Sequence, residues 1–287
     1  MRWLVLVLAL AASPALAQQV PDDKADVSVA APAWPKDAGP VLAIDAAHRN
    51  FHTIDGRYAP FAALARNDGF RVVGNDASFT AESLAKIQLL VMANAAQDLT
   101  PEEIGAVRTW VEGGGSLLLI ADHMPFAHAA DGLAQAFEFG FEDSYAFEAV
   151  RGPEHFSKQN GRLLDSPVTT GTGAAIDSIY AFTGTVLHAP QAATPVIRLG
   201  TGWTIFYPKE PWKFDGVPQR PSADRDLRGA IQAVGKGRVA MFSEAAMFSA
   251  QRSGQGAGMG FNYPQASQNK SFILNVLRWL GRAKSSP

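Results

Sequence analysis

Three apolar segments of the chain each end in a carboxylate. The segments are VLAID (41–45), SLLLIAD (116–122) and RVAMFSE (238–244). His48 and His123 follow Asp45 and Asp122 by three residues and one residue, respectively. Buried parallel strands in open α/β folds bring the residues at their carboxyl ends to one edge of the sheet, where binding sites form. The pattern therefore predicts one polar site, built from the ends of several strands.

Carboxylate and imidazole groups together suit divalent cations such as zinc, manganese or iron. We expect Asp45, His48, Asp122 and His123 to form the polar centre of the pocket and to hold such a cation. A bound cation would lower the pKa of its water ligand and supply a nucleophile for hydrolysis. The zincin motif H-E-x-x-H is absent from the sequence, so the residues do not identify the metal.

Glu244 is the lone charge in the apolar stretch MFSEAAMF (241–248). A buried carboxylate is costly unless it is paired, so we expect histidine, arginine or backbone donors around it. Near the same pocket it would act as a general base or would orient a histidine. Asp122, His123 and Glu244 are therefore the candidate catalytic residues. The candidate ligand-binding residues are Asp45, His48, His52 and Asn94.

Each of these residues also has a purely structural interpretation. An aspartate at a strand end often accepts backbone N–H groups of the following turn. A single loop histidine such as His52 or His128 is more often a hydrogen-bonded polar residue than a ligand. Glu244 could likewise bind the start of its own turn, with Ala245 and Ala246 packed beneath it.

The composition excludes several classes of function. The chain has no cysteine, which rules out a cysteine nucleophile, a disulfide and a lipid anchor on cysteine. There is no G-x-S-x-G motif, which argues against a serine nucleophile of the α/β-hydrolase type. A formal net charge of −2 provides no basic field for nucleic acid, which we do not expect as a partner.

The amino terminus has the features of a secretory signal. Residues 1–17 carry Arg2, an apolar stretch and the small-residue motif Ala15-Leu16-Ala17, which predicts cleavage before Gln18. We expect an exported protein, periplasmic or extracellular, without stable membrane insertion, because no second apolar stretch is long enough to span a bilayer. Residues 18–40 are rich in proline, aspartate and alanine, and we interpret them as a mobile leader.

Helices and strands alternate from residue 41 onward. Strands are predicted at 41–44, 70–74, 88–94, 116–122 and 237–243, and helices at 57–69, from Thr80, over 100–113, 128–137 and 267–281. The helix over 100–113 has a capping box with proline at its first position, and Ser267 is the predicted N-cap of the last helix. This alternation favours a mainly parallel sheet with helices on both faces. Residues 41–283 then form one domain.

Residues 141–236 interrupt the alternation. They lack helical periodicity and contain short β-like segments, so we interpret them as a β-rich insertion over the sheet edge. Aromatic residues cluster there: Trp203, Phe206, Tyr207, Trp212 and Phe214. These rings either stack against a ring-shaped ligand such as a sugar or form a small core of the insertion.

The organisation resembles the class I glutamine amidotransferase-like superfamily, which includes trehalose-utilisation-type proteins. The resemblance lies in IDAAHRNFHTIDGRYAPF (44–61), EEIGAVRTWVEGGGSLLLIADHMPF (102–126) and SEAAMFSAQ (243–251). It implies a flavodoxin-like three-layer sandwich with the site at the strand ends. The catalytic cysteine of the superfamily is missing here, so its chemistry does not transfer.

Two functions follow from these observations. The first is an exported hydrolase, metal-assisted, acting on a carbohydrate, ester or amide. The second is a non-catalytic module that binds a glycan or another envelope component at the same sheet edge. Both predict a small molecule or glycan as the ligand. The sequence leaves the substrate and the oligomeric state open.

Overall fold

The computed structural model describes residues 19–171, 173–254 and 256–283, so the predicted signal peptide over 1–17 lies outside the described residues. None of the described helices has the length and apolar character needed to cross a membrane. The helices are α1 (Ala59–Asn67), α2 (Ala81–Leu84), α3 (Pro101–Gly113), α4 (Phe126–Gln135) and α5 (Asn269–Gly281). The strands are β1 (Val20–Pro21), β2 (Val41–Asp45), β3 (Arg71–Asn75), β4 (Leu89–Ala93), β5 (Ser116–Ile120), β6 (Gly140–Phe141), β7 (Tyr145–Glu148), β8 (Glu154–Ser157), β9 (Ser178–Ala181), β10 (Leu187–His188), β11 (Thr194–Arg198), β12 (Trp203–Phe206), β13 (Gln219–Pro221), β14 (Leu227–Val234), β15 (Gly237–Phe242), β16 (Ala250–Arg252) and β17 (Gly258–Gly260).

The main sheet has nine strands and mixed direction. Its order is β3-β2-β4-β5-β15-β14-β10-β6, and β11 also pairs with β14. The first five strands of this order are mutually parallel. The strands beyond β15 pair antiparallel. The predicted α/β class is therefore confirmed, and a parallel portion accounts for about half of the sheet.

The sheet separates two hydrophobic cores. Along β4, Leu89 and Val91 belong to the core shared with α1 and α5. Leu90 and Met92 belong to the core shared with α2, α3 and α4. Because successive strand residues point to opposite faces, a fully apolar strand is expected where helices cover both faces. The continuous apolar runs of the sequence have this cause.

Helix α3 begins as its sequence predicts. The Thr100 hydroxyl accepts a hydrogen bond from the Glu103 amide at 3.2 Å, and Glu103 Oε2 accepts one from the Thr100 amide at 3.0 Å. Helix α5 differs, because its N-cap is Gln268 and not the predicted Ser267. Gln268 Oε1 accepts hydrogen bonds from two backbone amides at the start of β9, so contacts with the 141–236 segment fix where this helix begins.

Residues 19–40, expected as a mobile leader, lie against the domain. Strand β1 pairs with β16, and Asp22 forms an ion pair with Arg252 at 2.9 Å. The Trp34 ring packs edge-on against Phe70 at 4.6 Å between centroids. The structure thus places this segment on the surface of the domain, where it helps to hold the β16–β17 hairpin.

The predicted insertion over 141–236 contributes to the main sheet itself. Strand β14 lies beside β15 in an antiparallel pair of six residues, joined by a two-residue turn in which Gly235 has φ +55°. Strand β14 of this segment therefore lies within the main sheet and not over its edge. A positive φ favours glycine and typifies tight hairpin turns. Two smaller sheets, β7-β12-β13 and β8-β9, complete the segment.

Candidate functional site

The predicted strand-end residues lie at the same edge of the main sheet. Asp45, Asn94, Asp122 and Glu244 end or follow strands β2, β4, β5 and β15, which are neighbours in that order. All three pairings between these strands are parallel, so their carboxyl ends point the same way. The placement predicted from the sequence is confirmed.

The first cluster at this edge is a buried carboxylate–imidazole–carboxylate group. His48 Nδ1 lies 2.8 Å from Asp45 Oδ2, and His48 Nε2 lies 3.1 Å from Glu103 Oε1. Burial lowers the pKa of His48, but the two carboxylates outweigh burial and raise it above its ordinary value. With both ring nitrogens donating, His48 ties the loop after β2 to helix α3. Asp45 and His48 are thus bonded to each other, and His48 also to Glu103; neither Asp45 nor His48 lines the cavity described below.

Asp122 and Asn94 form a second cluster. Asn94 Nδ2 donates to Asp122 Oδ2 at 2.7 Å, and the Asp122 amide donates to Asn94 Oδ1 at 2.8 Å. Asn94 adopts φ +47°, a left-handed conformation that asparagine tolerates better than most residues. The other oxygen of Asp122 accepts a hydrogen bond from the Ala245 amide. Burial raises the pKa of Asp122 despite these donors.

Glu244 binds the turn that follows it. Its two carboxylate oxygens accept hydrogen bonds from the amides of Ala246 and Met247, each at 2.8 Å. The donors around Glu244 are therefore backbone groups, as its structural interpretation predicts. Burial, followed by the nearby charge of Asp122, raises the pKa of Glu244 well above its ordinary value. Together Asp122 and Glu244 fix three consecutive amides, Ala245 to Met247.

His123 is held in one tautomer beside Asp122. Its Nδ1 donates to the carbonyl of Met124 at 2.7 Å. Its ring stacks on Tyr145 at 4.3 Å and meets the edge of Trp212 at 4.8 Å. Burial lowers the pKa of His123, although Asp122 acts in the opposite direction. No described residue donates to Nε2, so this nitrogen is available as an acceptor at neutral pH.

A cavity of about 420 Å³ opens beside these groups. It is lined by Gln19, Phe51, Arg57, Asp122, His123, Phe126, Phe182, Thr183, Trp212, Glu244, Ala246 and Met259. All three predicted catalytic residues are therefore in its wall. We call this space the first cavity.

Arg57 is the functional candidate that the sequence reasoning missed. It is half-buried in the cavity wall, its Nε donates to the carbonyl of Gln19 at 3.3 Å, and its guanidinium lies 5.6 Å from the centre of the Phe51 ring. Burial lowers the pKa of Arg57, and Asp122 raises it. A lone arginine in a loop carries no motif, so only the fold reveals it.

His52, predicted as a ligand-binding residue, lies in the interior. Its ring packs edge-on against Tyr58 at 4.8 Å and its Nε2 lies 3.4 Å from Gln251 Nε2. The buried Nδ1 has no hydrogen-bond partner among the described residues. It does not line the first cavity, which agrees with the structural interpretation of this histidine.

The four predicted metal ligands do not converge. In the described part of the chain, the acidic and histidine ligand atoms that meet within 4.8 Å belong to Glu142, His188 and Asp226. Arg220 already bridges this group, because its guanidinium lies 2.5 Å from Glu142 and 2.6 Å from Asp226. Arg220 therefore already provides the positive charge that faces these carboxylates.

The aromatic residues predicted in the insertion divide between the hydrophobic core and the cavity wall. Trp203 is buried in the core, where the guanidinium of Arg228 lies 5.1 Å from its ring. Trp212 is 51% exposed at the cavity wall. Phe214 packs edge-on against Tyr145 at 5.1 Å and against Trp212 at 6.3 Å between ring centroids.

Comparison with known proteins shows the fold alone. No family model matches the chain, and no curated protein matches it by sequence. The N-terminal domain of mmIFT52 is similar in structure, with a TM-score of 0.61, 14% identity, and coverage of 84% of this chain and 97% of that one. The cytoplasmic protein STM1381 from Salmonella typhimurium LT2 gives a TM-score of 0.50, 13% identity, and coverage of 84% and 98%.

A ThuA-like protein from Bacteroides uniformis ATCC 8492 is also among the matches. Its TM-score is 0.47 at 13% identity, with coverage of 88% of this chain and 93% of that chain. At a TM-score below 0.5 this likeness carries no argument for the amidotransferase-like superfamily. At this similarity the match supports no statement about activity.

Proposed function

We propose that the first cavity is the active site of a hydrolase that cleaves an ester or amide bond of a carbohydrate-like substrate. The observation that carries the proposal is His123, whose pKa is lowered by burial and which shares the wall of the first cavity with Asp122 and Arg57. A neutral imidazole with a lowered pKa is suited to general-base catalysis near neutral pH. The aromatic wall suits the apolar face of a sugar ring.

In this proposal His123 activates water directly. Nε2 takes a proton from a water molecule, and the resulting hydroxide adds to the carbonyl carbon. The guanidinium of Arg57 stabilises the negative oxygen that develops, and Asp122 stabilises the imidazolium. The imidazolium then returns its proton to the leaving oxygen or nitrogen as the bond to carbon breaks, which regenerates neutral His123.

The predicted metal assistance has no role in these steps. His48 is held between Asp45 and Glu103, which leaves only Asp122 and His123 of the predicted ligand set at the cavity. A catalytic zinc site ordinarily uses three protein ligands. The proposal therefore assigns the acid–base chemistry to His123 and the charge stabilisation to Arg57.

Family and location are part of the same proposal. The parallel half of the sheet, with a site at its carboxyl ends, supports a flavodoxin-like member of the amidotransferase-like superfamily that has lost the cysteine nucleophile. The signal-like sequence over 1–17 supports export, which would place the substrate in the periplasm or outside the cell. Sequencing the amino terminus of the secreted protein tests the predicted cleavage before Gln18.

A non-catalytic binding module is the second candidate. It is favoured by the hydrogen bonds of Asp122 and Glu244, because both oxygens of each carboxylate already accept donors from the protein. Carboxylates held in this way form a rigid part of the cavity wall. A glycan could bind against that wall and the aromatic rings without being cleaved.

The variant His123→Gln separates the two candidates. Hydrolysis of p-nitrophenyl acetate and of O-acetylated and N-acetylated sugars would be measured for the wild type and the variant. A general base contributes about 10²- to 10⁴-fold to rate, so kcat/KM should fall by a factor in that range. The wild-type kcat/KM should rise with pH through an apparent pKa below the ordinary histidine value, because burial lowers the pKa of His123.

The exposed His128 supplies the matched control, since His128→Gln should leave the rate unchanged. Dialysis against a chelator should also leave the rate unchanged. Equal rates for the wild type and His123→Gln would refute the catalytic role. Sugar binding by calorimetry without turnover of any compound would favour the binding module.

A further inference from the structure

A second cavity adjoins the first. It has a volume of about 390 Å³ and shares Phe182, Thr183, Trp212 and Met259 with the first cavity. Its own lining residues include Phe147, Arg151, Ser253, Gly258 and Tyr263. Because the two spaces share walls, a ligand longer than one ring could occupy both.

Arg151 gives the second cavity its charge. Its guanidinium lies 4.2 Å from the centre of the Phe147 ring and 5.0 Å from that of Phe214. These cation–π contacts orient the group. Arg151 has no ion pair within the described ranges, and no carboxylate is among the residues that line this cavity. The cavity therefore offers one unneutralised positive charge among aromatic and hydroxyl groups.

Trp212 stands between the two cavities in an unusual conformation. Its φ is +65°, which is uncommon and strained for a bulky residue. The ring is nevertheless 51% exposed and forms a T-shaped pair with the His123 ring at 4.8 Å between centroids. Since the exposed half of the ring gains little from burial, the strained position is consistent with a role in binding a ligand.

We propose that the second cavity is a subsite for a carboxylate-bearing sugar ring. The ring would pack against Trp212, and the Arg151 guanidinium would bind the carboxylate in the bidentate geometry that such pairs favour. The proposal makes the ligand an acidic oligosaccharide of at least two rings. It rests on the proposed function only in taking the first cavity as the place where the neighbouring residue of the glycan is bound.

Calorimetric titration with matched disaccharides tests the subsite. The probes are β-D-glucuronosyl-(1→4)-D-glucose and cellobiose, which differ by the carboxylate. The acidic probe should bind at least about tenfold more tightly, the factor expected from one charge-assisted hydrogen bond. In Arg151→Gln the ratio of the two affinities should approach one, and raising the salt concentration should reduce the wild-type ratio.

The control is Arg71→Gln, an exposed arginine at the start of β3, at the opposite end of the parallel strands, which should keep the wild-type ratio. Absence of binding by the acidic probe, or an unchanged ratio in Arg151→Gln, would overturn the subsite.

The two proposals fail separately. If the acidic probe binds through Arg151 but no ester or amide is hydrolysed, the subsite stands and the hydrolase fails. If His123→Gln abolishes hydrolysis of neutral acetylated sugars while Arg151→Gln does not change the affinity ratio, only the subsite fails.

Discussion

Acidic pH should destabilise the protein through His52. This side chain is 1% exposed, and its Nδ1 lacks a partner among the residues described. Burial, reinforced by the charge of Arg57, lowers the pKa of His52 from 6.5 to about 3. Between these two pH values the unfolded chain binds a proton that the native protein does not. The free energy of unfolding must therefore fall as the pH decreases below 6.5.

The size of this effect follows from the two pKa values. Each pH unit below 6.5 removes about 1.4 kcal/mol until the native pKa is approached. His52 alone should therefore lower the free energy of unfolding by about 2 kcal/mol at pH 5 and by about 3 kcal/mol at pH 4. Such a loss is a large part of the stability of an ordinary domain.

Urea unfolding of His52→Asn and His52→Phe, measured from pH 7 to pH 4, isolates the contribution of His52 to the pH dependence of stability. Either variant will lose stability at pH 7 through altered packing. The gap to the wild type should then shrink by about 2 kcal/mol at pH 5, because the variants cannot take up this proton. His128→Asn, an exposed control, should leave the wild-type slope unchanged. Parallel curves for the wild type and both His52 variants would refute the reasoning.

Other parts of the structure give three further predictions, each measured by urea unfolding. His48→Gln should destabilise the protein more at pH 6 than at pH 9. Because the pKa of His48 is raised in the native protein, its protonated form stabilises the native state. This stabilisation is complete below pH 6.5 and is lost as the pH rises through the native pKa. Glu154→Gln leaves the buried Arg228 without the carboxylate whose two oxygens accept hydrogen bonds from its Nη2, and it should cost about 3 kcal/mol or more. Replacing both residues by leucine and methionine should recover most of that loss. Gly237→Ala places a methyl group 2.0 Å from a carbonyl oxygen of α3 and should lower the free energy of unfolding by about 1–3 kcal/mol. Gly105→Ala meets no atom within 4 Å and should raise the free energy of unfolding by about 0.5–1 kcal/mol.

The parts of the fold that could be predicted depend on local signals. The capping box of α3 is local, since Thr100 and Glu103 lie on the same turn. The apolar runs identify β2, β4, β5 and β15 because helices cover both faces of these strands. Once the strands are known to be parallel, the shared position of Asp122 and Glu244 at one edge follows from topology.

The parts that could not be predicted depend on contacts between distant segments. His48 pairs with Glu103, 55 residues further along the chain, and this pairing removes it from the expected metal site. Arg57 reaches the cavity only because the loop after β2 folds over the strand ends. Trp212 comes from the 141–236 segment, whose β strands carry no periodicity that assigns them to one sheet or another.

Neighbouring residues at the end of β5 have different tasks. Asp122 accepts hydrogen bonds from Asn94 and from the Ala245 amide. It therefore joins the ends of three adjacent strands, β4, β5 and β15. His123 is held by one carbonyl and by ring stacking, and its Nε2 has no donor among the described residues. A carboxylate at the end of an apolar strand is therefore better evidence for a structural hydrogen bond between strands. The histidine that follows it is the better candidate for a catalytic residue. On this reasoning Asp122→Asn should affect stability as well as turnover. His123→Gln, which removes the ring that stacks on Tyr145, should affect turnover far more than stability.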